Sequence, residues 1–376
     1  MSARRPTLSA CILAHSSRAG LGRLLRELDG VVDQVVVGVD SASTDDTFAL
    51  ACRHADVVFR FEHVGPPVRA RLLPLRRATG DWILEIDEDE GLDDAFEPLL
   101  HELLADPRYT HYWLPRRWIV EREPLTYLHA APWFPDWQLR LFRNDPGRVW
   151  HNGTVHSGYR VMGPGCWEDR SAVLHYETVV LTSEERERKV DFYRRHGSDG
   201  RSESYYRAPG NAERREVTPG PAPSTGERPR ERRGRVIPGI EPVPGVPTVP
   251  PWGAALKARM PSTAQCGAPV LVEILARNTG RLAWDTSGPG WPILHLSYHL
   301  TGEDGAGGLE EGERFRLPRV VEPGGETRCH LTVRAPEKPG RYRFEWDLVS
   351  EGECWFADCG SRPAGVSMSV TPAHPR

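Results

Sequence analysis

The sequence predicts an α/β unit built on a mainly parallel sheet, followed by an all-β sandwich. Short apolar strands alternate with helix-patterned segments from Leu8 to Ile86. One of those strands, Trp82 to Ile86, runs straight into Asp87, Glu88, Asp89 and Glu90. From about residue 253 the apolar period becomes two, the signature of half-buried strands.

Each element follows in order. Leu8 to Ala14 is an apolar strand, and Leu21, Leu24, Leu25 and Leu28 follow at helical spacing. Gln34 to Val39 is a second strand that ends on Asp40. The hydroxyls and carboxylates of Ser41 to Thr47 then supply caps for a helix start. Val57 to Phe61 is a third strand, Val68 to Ala78 a predicted helix, and Trp82 to Ile86 the fourth strand. Strand–helix alternation at this spacing means βαβ units. Ligands in such sheets sit outside the carboxyl ends of the strands. Carboxylates crowded at one strand end repel each other unless a cation lies among them. Mg²⁺ or Mn²⁺ bridged to a diphosphate suits oxygen ligands of this kind. The other reading is an acidic turn capping a helix that begins near Asp93 and Asp94.

These motifs resemble the family 2 glycosyltransferases of the GT-A, or nucleotide-diphospho-sugar transferase, fold. Val39-Asp40-Ser41-Ala42-Ser43-Thr44-Asp45-Asp46-Thr47 is similar to the family's turn after the second strand, with Ala42 and Asp46 in the usual glycine places. Ala70-Arg71, Thr79-Gly80-Asp81-Trp82 and Asp87-Glu88-Asp89 fall at matching spacing. Pro135 to Arg143 and Val155-His156 resemble later landmarks of a lipopolysaccharide-type, surface-polysaccharide subgroup.

The resemblance implies an inverting transfer from a nucleotide sugar, a UDP-sugar by preference, to a saccharide or lipid-linked glycan. It implies that Asp40 contacts the base or ribose, that Asp87 lies near the ribose, and that Asp89 ligates Mn²⁺ or Mg²⁺. Arg71 would face the phosphates, and His175 a metal or a phosphate, with a purely structural role as its alternative. The base for the acceptor hydroxyl falls to Asp136 or His156, ahead of Glu168 and Asp169. The chain departs from the family pattern at His15, at Leu72 and at Ser157. Those departures motivate a second hypothesis, a non-catalytic glycan-binding or scaffold protein with a degenerate GT-A domain. A nucleotidyltransferase is a third, disfavoured because no Gly-rich, Lys-bearing phosphate loop follows the first strand.

The stretch from Trp113 to Trp150 is rich in aromatics; Trp113 and Trp137 read as core, and Trp133 as a candidate wall of the acceptor site. Thr182-Ser183-Glu184-Glu185 is a capping box that starts a charged helix. The expected division is a GT-A domain over 1–206, a Pro- and Arg-rich linker over 207–252, and an immunoglobulin-like sandwich over 253–376. The linker carries many of the chain's 34 prolines and few large apolar residues. In the last segment Leu294, Leu296, Tyr298 and Leu300 alternate with polar residues, as do Tyr342, Phe344, Trp346 and Leu348. Tyr342, at a strand start, resembles a tyrosine corner.

A formal net charge of −4 gives no electrostatic case for nucleic acid. The basic patch from Arg228 to Arg235 reads as solvated linker, with anionic lipid as an alternative contact. No apolar run is long enough to span a membrane, and no signal-like region follows Met1. The seven cysteines lack metal spacing. A cytoplasmic location, with peripheral membrane contact as an option, is the expectation.

Overall fold

The computed structural model describes residues 4–67, 69–151, 159–196, 205–207, 210–218, 234–243, 251–285, 293–302, 310–351 and 354–372. The chain forms two compact units, the first made of Met1–Val161 and Gly165–Val246 and the second of Met162–Pro164 and Pro247–Arg376.

In the first unit, strand β1 (Leu8–Ala14) is buried along its whole length, as a parallel strand covered on both faces must be. Helix α1 (Arg18–Glu27) buries Leu21, Leu24 and Leu25 on one stripe. Strand β2 (Gln34–Asp40), helix α2 (Thr47–His54), strand β3 (Val57–Phe61), the short helix α3 (Leu72–Leu75) and strand β4 (Trp82–Glu85) complete the alternation. The strands pair in parallel in the order β4–β1–β2–β3. Leu8, Ile12, Val37, Val39, Trp82 and Leu84 join the α1 leucines in one core.

The parallel character holds only for this half. Beyond β4 come β5 (Glu90–Leu92), helix α4 (Phe96–Ala105), and strands β6 (His111–Arg122), β7 (Leu125–Leu128) and β8 (Asp136–Arg143). β8 joins β4 antiparallel, and β6 and β7 continue in the same sense. A small hairpin, β9 (Val149–His151) with β10 (Tyr159–Val161), follows. β11 (Gly165–Trp167) and β12 (Val173–His175) then run parallel to β6, and β12 pairs antiparallel with β5. Helices α5 (Glu177–Val180) and α6 (Ser183–Arg195) close this region, and α6 begins with the capping box at Thr182 and Glu185.

Two expectations change. The helix expected over Val68–Ala78 is a single turn, α3, with Pro74 inside it. A helix begun at residue 68 would need an N–H from Pro74 and would drive its ring against the Ala70 carbonyl. The stretch 207–252, expected as linker, contributes strand β13 (Arg214–Glu216) beside β7 and strand β14 (Arg235–Glu241) beside β3. β14 extends the parallel sheet and its register shifts between Val236 and Ile240, where Pro238 and the positive-φ Gly239 sit. Pro is tolerated at such an edge because no further strand needs its N–H. Ile237 and Val243 pack against the cluster of Phe59, Phe61 and Leu73, and Arg77 pairs with Glu241.

The second unit is all β. Strands β15 (Ala254–Arg259), β17 (Pro269–Asn278) and β20 (Glu326–Arg334) form one antiparallel sheet. Strands β16 (Thr263–Gln265), β18 (Leu294–Gly302), β19 (Glu310–Glu311), β21 (Gly340–Ser350), β22 (Cys354–Trp355) and β23 (Ala364–Thr371) form the other, with β16 and β23 its parallel pair. Alternate residues of both sheets meet in one core, with Val272 and Ile274 from the first and Leu296, Phe344 and Trp346 from the second. The Tyr342 hydroxyl donates to the Lys338 carbonyl at 3.1 Å, the bond a tyrosine corner makes. Cys354 and Cys359 are buried, with Sγ atoms 3.4 Å apart.

A fragment ending at Arg207 lacks β13 and β14 and leaves the β3 edge bare. It should melt below a fragment ending at Val246 and aggregate on warming, since an open apolar edge templates further pairing. Circular dichroism melts and light scattering of the two fragments check this; identical behaviour would show that β14 adds nothing to the sheet.

Candidate active site

Strands β1, β2 and β3 end at one level, because Ala14 lies beside Val39 and Asp40 beside Phe61. That register gathers His15, Asp40 and His63 at the carboxyl edge of the sheet. Asp40 is buried, with its Oδ1 accepting the Ala42 N–H at 2.8 Å. Its Oδ2 lies 2.8 Å from Nδ1 of His63 and 3.4 Å from Nδ1 of His15.

The turn after β4 splits its carboxylates between two surroundings. Asp87 faces cations: Arg71 Nη2 at 2.6 Å and Arg140 Nη2 at 3.0 Å. Arg71 also pairs with Glu85, and Arg140 reaches Glu90 at 2.7 Å. Glu90 is fully buried, and Arg116 approaches it at 3.4 Å while holding Asp136 at 2.7 Å. Acidic and basic groups thus alternate from Glu85 through Arg71, Asp87, Arg140, Glu90 and Arg116 to Asp136. Burial pushes against ionisation of Asp87, but Arg71 and Arg140 outweigh it and hold the carboxyl below the usual range. At Glu85 burial wins over the same two arginines, and the carboxyl is raised.

Asp89 points the other way. Its Oδ2 lies 3.4 Å from Nε2 of His175, and that nitrogen is 3.5 Å from Glu177. Donor atoms of Asp89, His175 and Glu177 all fall within 4.8 Å of one another. Lys189 pairs with Glu177 at 2.8 Å. Burial opposes the ionisation of Asp89, yet His175 and Lys189 hold its carboxyl far below the ordinary range. Burial, then the charges of Asp89 and Asp87, push the Glu88 carboxyl up to about 8. One imidazole and two carboxylates form a donor set suited to Mn²⁺, and less so to Mg²⁺, which prefers oxygen alone. Among the described residues His175 Nδ1 is buried without a hydrogen-bond partner, and the Trp118 ring stands edge-on to the imidazole at 4.2 Å. The ring is thus fixed by packing rather than by a bond to its far nitrogen.

A cleft of about 840 Å³ opens here, lined by His15, Ser17, Arg18, Glu88, Asp89 and Lys189, among others. Gly20 of α1 makes its wall possible: a Cβ there would lie 2.6 Å from the Glu88 carbonyl oxygen. The helix can approach the acidic turn only because that side chain is absent.

The residues singled out in the sequence divide accordingly. Asp89 and His175 come together, and Glu177 joins them. Asp87 and Arg71 pair with each other, and Asp40 lies one strand beyond β1. Asp136 is buried; Arg116 and Trp118 donate to its Oδ2 and Gln138 to its Oδ1. His156 lies outside the described residues. Trp133 is buried beside Trp118 and Leu128 and donates to the Tyr205 carbonyl, so it is core and forms no acceptor-site wall. Sequence reasoning missed Arg116, Arg140, Glu90, Glu177 and Lys189. One signal was available: Arg140 stands between Leu139 and Leu141.

Residues 9–163 match the family model of glycosyl transferase family 2. That match implies the GT-A fold for the first unit. Two curated relatives, both described as uncharacterized glycosyltransferases, come from Rickettsia felis, at 33% identity over 108 residues, and Rickettsia conorii, at 32%. Each alignment covers 28% of this chain, and the chain spans about a third (36%) of the length of these relatives. Among solved structures, the CARDB domain of PF1109 from Pyrococcus furiosus aligns with 32% of this chain and 95% of its own, at 14% identity and a TM-score of 0.23. A beta-glucosidase from Listeria innocua aligns with 31% of this chain and 16% of its own, at 12% identity and a TM-score of 0.20. Neither likeness is high enough to bear on fold or function.

Arg140→Met should destabilise the first unit by about 3–5 kcal/mol, because it strands the buried Glu90 charge. Denaturant unfolding of the variant measures this; a loss under ~1 kcal/mol would mean that Arg116 alone satisfies Glu90. Gly20→Val should cost about 1–3 kcal/mol through the clash with the Glu88 backbone. An unchanged melt for that variant would show that α1 can withdraw freely from the turn.

Proposed function

We propose that the first unit is a glycosyltransferase that moves a sugar from a nucleotide-sugar donor to a saccharide or glycan-precursor acceptor, with inversion. The observation that carries this reading is the split of the acidic turn inside a segment matching glycosyl transferase family 2: Asp87 belongs to the arginine network, whereas Asp89 meets His175 and Glu177 beside an open cleft.

Each group has a role in this reading. Asp40 accepts from the donor's base or ribose, and Asp87, fixed by two arginines, marks the ribose position. Asp89, His175 and Glu177 would hold Mn²⁺ or Mg²⁺. When bound, such an ion offsets the charge growing on the departing diphosphate. Arg71 supplies a planar cation at the edge of the same site, and exchanging a carboxylate partner for a phosphate costs it no charge pairing. A UDP-sugar is the proposed donor. Asp136 and His156 are the proposed candidates for the base that takes the acceptor proton. Asp136 as base requires Gln138 to release Oδ1, since Oδ2 already accepts from Arg116 and Trp118. The second unit is proposed as an immunoglobulin-like module that takes no part in the chemistry.

One observation favours the scaffold alternative: Lys189 already neutralises Glu177 within the proposed metal site. Screening nucleotide sugars for hydrolysis and transfer, with and without Mn²⁺, separates the two. Metal-stimulated turnover of one donor supports the enzyme. A folded protein that binds glycan and turns over no donor supports the scaffold.

Asp89→Asn should lower turnover on the order of 10²-fold or more and abolish metal-dependent nucleotide binding, because it removes the charge that balances the cation. Its fold should survive with a lowered melting temperature, because His175 and Lys189 favour the ionised Asp89 in the folded state. Calorimetric titration with Mn²⁺ and UDP, alongside a thermal melt, tests both parts; unchanged binding and turnover would remove Asp89 from any metal site.

A further inference from the structure

We propose that Cys354 and Cys359 are a covalent cross-linking site, joined in a disulfide by exchange with an oxidant of the glutathione-disulfide class. Their Sγ atoms stand 3.4 Å apart, and the two residues are buried, at 7% and 5% exposure. A disulfide bond is about 2.05 Å long, so the sulfurs need close by only ~1.4 Å. Buried cysteine often serves as a small apolar filler. A filler does not need its sulfur aimed at another sulfur; the two ends of a cross-link do.

Each sulfur is held by the backbone around it. Strand β22 carries Cys354 and pairs with β21, where Ser350 lies opposite Cys354. A single 3₁₀ turn, Phe356–Cys359, follows and ends at Gly360 with a φ of 92°. Phe356 is fully buried, stacked on Trp252 with ring centroids 5.6 Å apart and edge-on to Trp284 at 5.8 Å. The Ala357 N–H donates to Oδ2 of the buried Asp347 at 2.8 Å, and the Ser361 N–H donates to the Phe356 carbonyl at 3.0 Å. Folding itself therefore brings the two thiols together, and the second exchange step gains the advantage of an intramolecular reaction. In the first step one cysteine thiolate attacks glutathione disulfide, forming a mixed disulfide and releasing one glutathione thiolate. In the second, the other cysteine thiolate attacks the Sγ of the first and releases the remaining glutathione. Two protein thiols are oxidised, one external disulfide is reduced to two thiols, and the protons given up by the cysteines pass to the released thiolates. The stability of the second unit then follows the thiol–disulfide balance of its surroundings.

The test uses the full chain, needs no sugar donor and stands apart from the glycosyl-transfer reading. The protein is refolded from denaturant either in a mixture of glutathione and glutathione disulfide or in dithiothreitol. It is then denatured in iodoacetamide and digested with trypsin without reduction. The tryptic peptide that begins at Phe344 contains Cys354 and Cys359 and no other cysteine. From the glutathione buffer it should be two hydrogens lighter than the dithiol and carry no alkyl group; from dithiothreitol it should carry two. Two alkyl groups under both conditions, or glutathione left on either cysteine in place of the cross-link, overturns the proposal. Thermal melts give a second readout. The second unit should melt higher in the glutathione buffer than in dithiothreitol, by roughly 5 °C for so short a loop. Cys354→Ser and Cys359→Ser should each abolish that difference. No difference in the unaltered protein, or one that survives either substitution, overturns the proposal as well.

Discussion

The first unit depends on Arg140. This buried guanidinium stands on β8 and reaches both Asp87, on the turn after β4, and Glu90, which opens β5. An ionised carboxylate as deeply buried as Glu90 is tolerable only beside a partner cation. That partner comes from the antiparallel half of the sheet, whereas the turn it holds comes from the parallel half. Arg116, one strand further on, extends the same logic to Asp136. The charge network therefore fixes where the acidic turn sits relative to the sheet. It leaves Asp89, facing the other way, as the carboxylate available to the cleft.

Clefts of this kind need close approach as well as charge. Gly20 lets α1 lie against the Glu88 backbone, and His175 is held in place by Trp118 rather than by a hydrogen bond at Nδ1. On the far side of β1, the loops after β1, β2 and β3 are cross-linked by serine and threonine hydroxyls. The two clusters, Asp89 with His175 and Glu177 and Asp40 with His15 and His63, thus rest on different scaffolding. One is positioned by ion pairs and aromatic packing, the other by strand register and short polar bonds.

Much of this was legible in the sequence, and the failures have physical causes. The apolar runs at Leu8, Gln34, Val57 and Trp82 gave the parallel half, because a doubly covered strand has no polar face to blur its pattern. Helix α1 was legible from its leucine spacing. The helix at Val68 was overextended because apolar and basic residues at good spacing outvoted Pro74. Strand β14 was hidden by composition: Pro238 and Gly239 mark a bulge at a sheet edge, yet in sequence they read as linker. Asp87 and Asp89 look equivalent two residues apart. What separates them is which distant side chains they meet, and neither Arg140 nor Glu177 is near them in the chain. The partnership of Asp89 with His175 was anticipated only through family resemblance, since a lone histidine carries no periodic signal.

The placement of β14 has a consequence for the order in which the molecule is made. Its partner β3 ends at Phe61, but β14 itself ends at Glu241. A chain growing from its amino terminus therefore exposes the β3 edge throughout the synthesis of the rest of the first unit. Closing so long a loop costs entropy that grows only slowly with its length, so the pairing is thermodynamically affordable yet necessarily late. During that interval the nascent unit presents an open apolar edge to its neighbours, the kind of surface on which chains associate wrongly or chaperones bind.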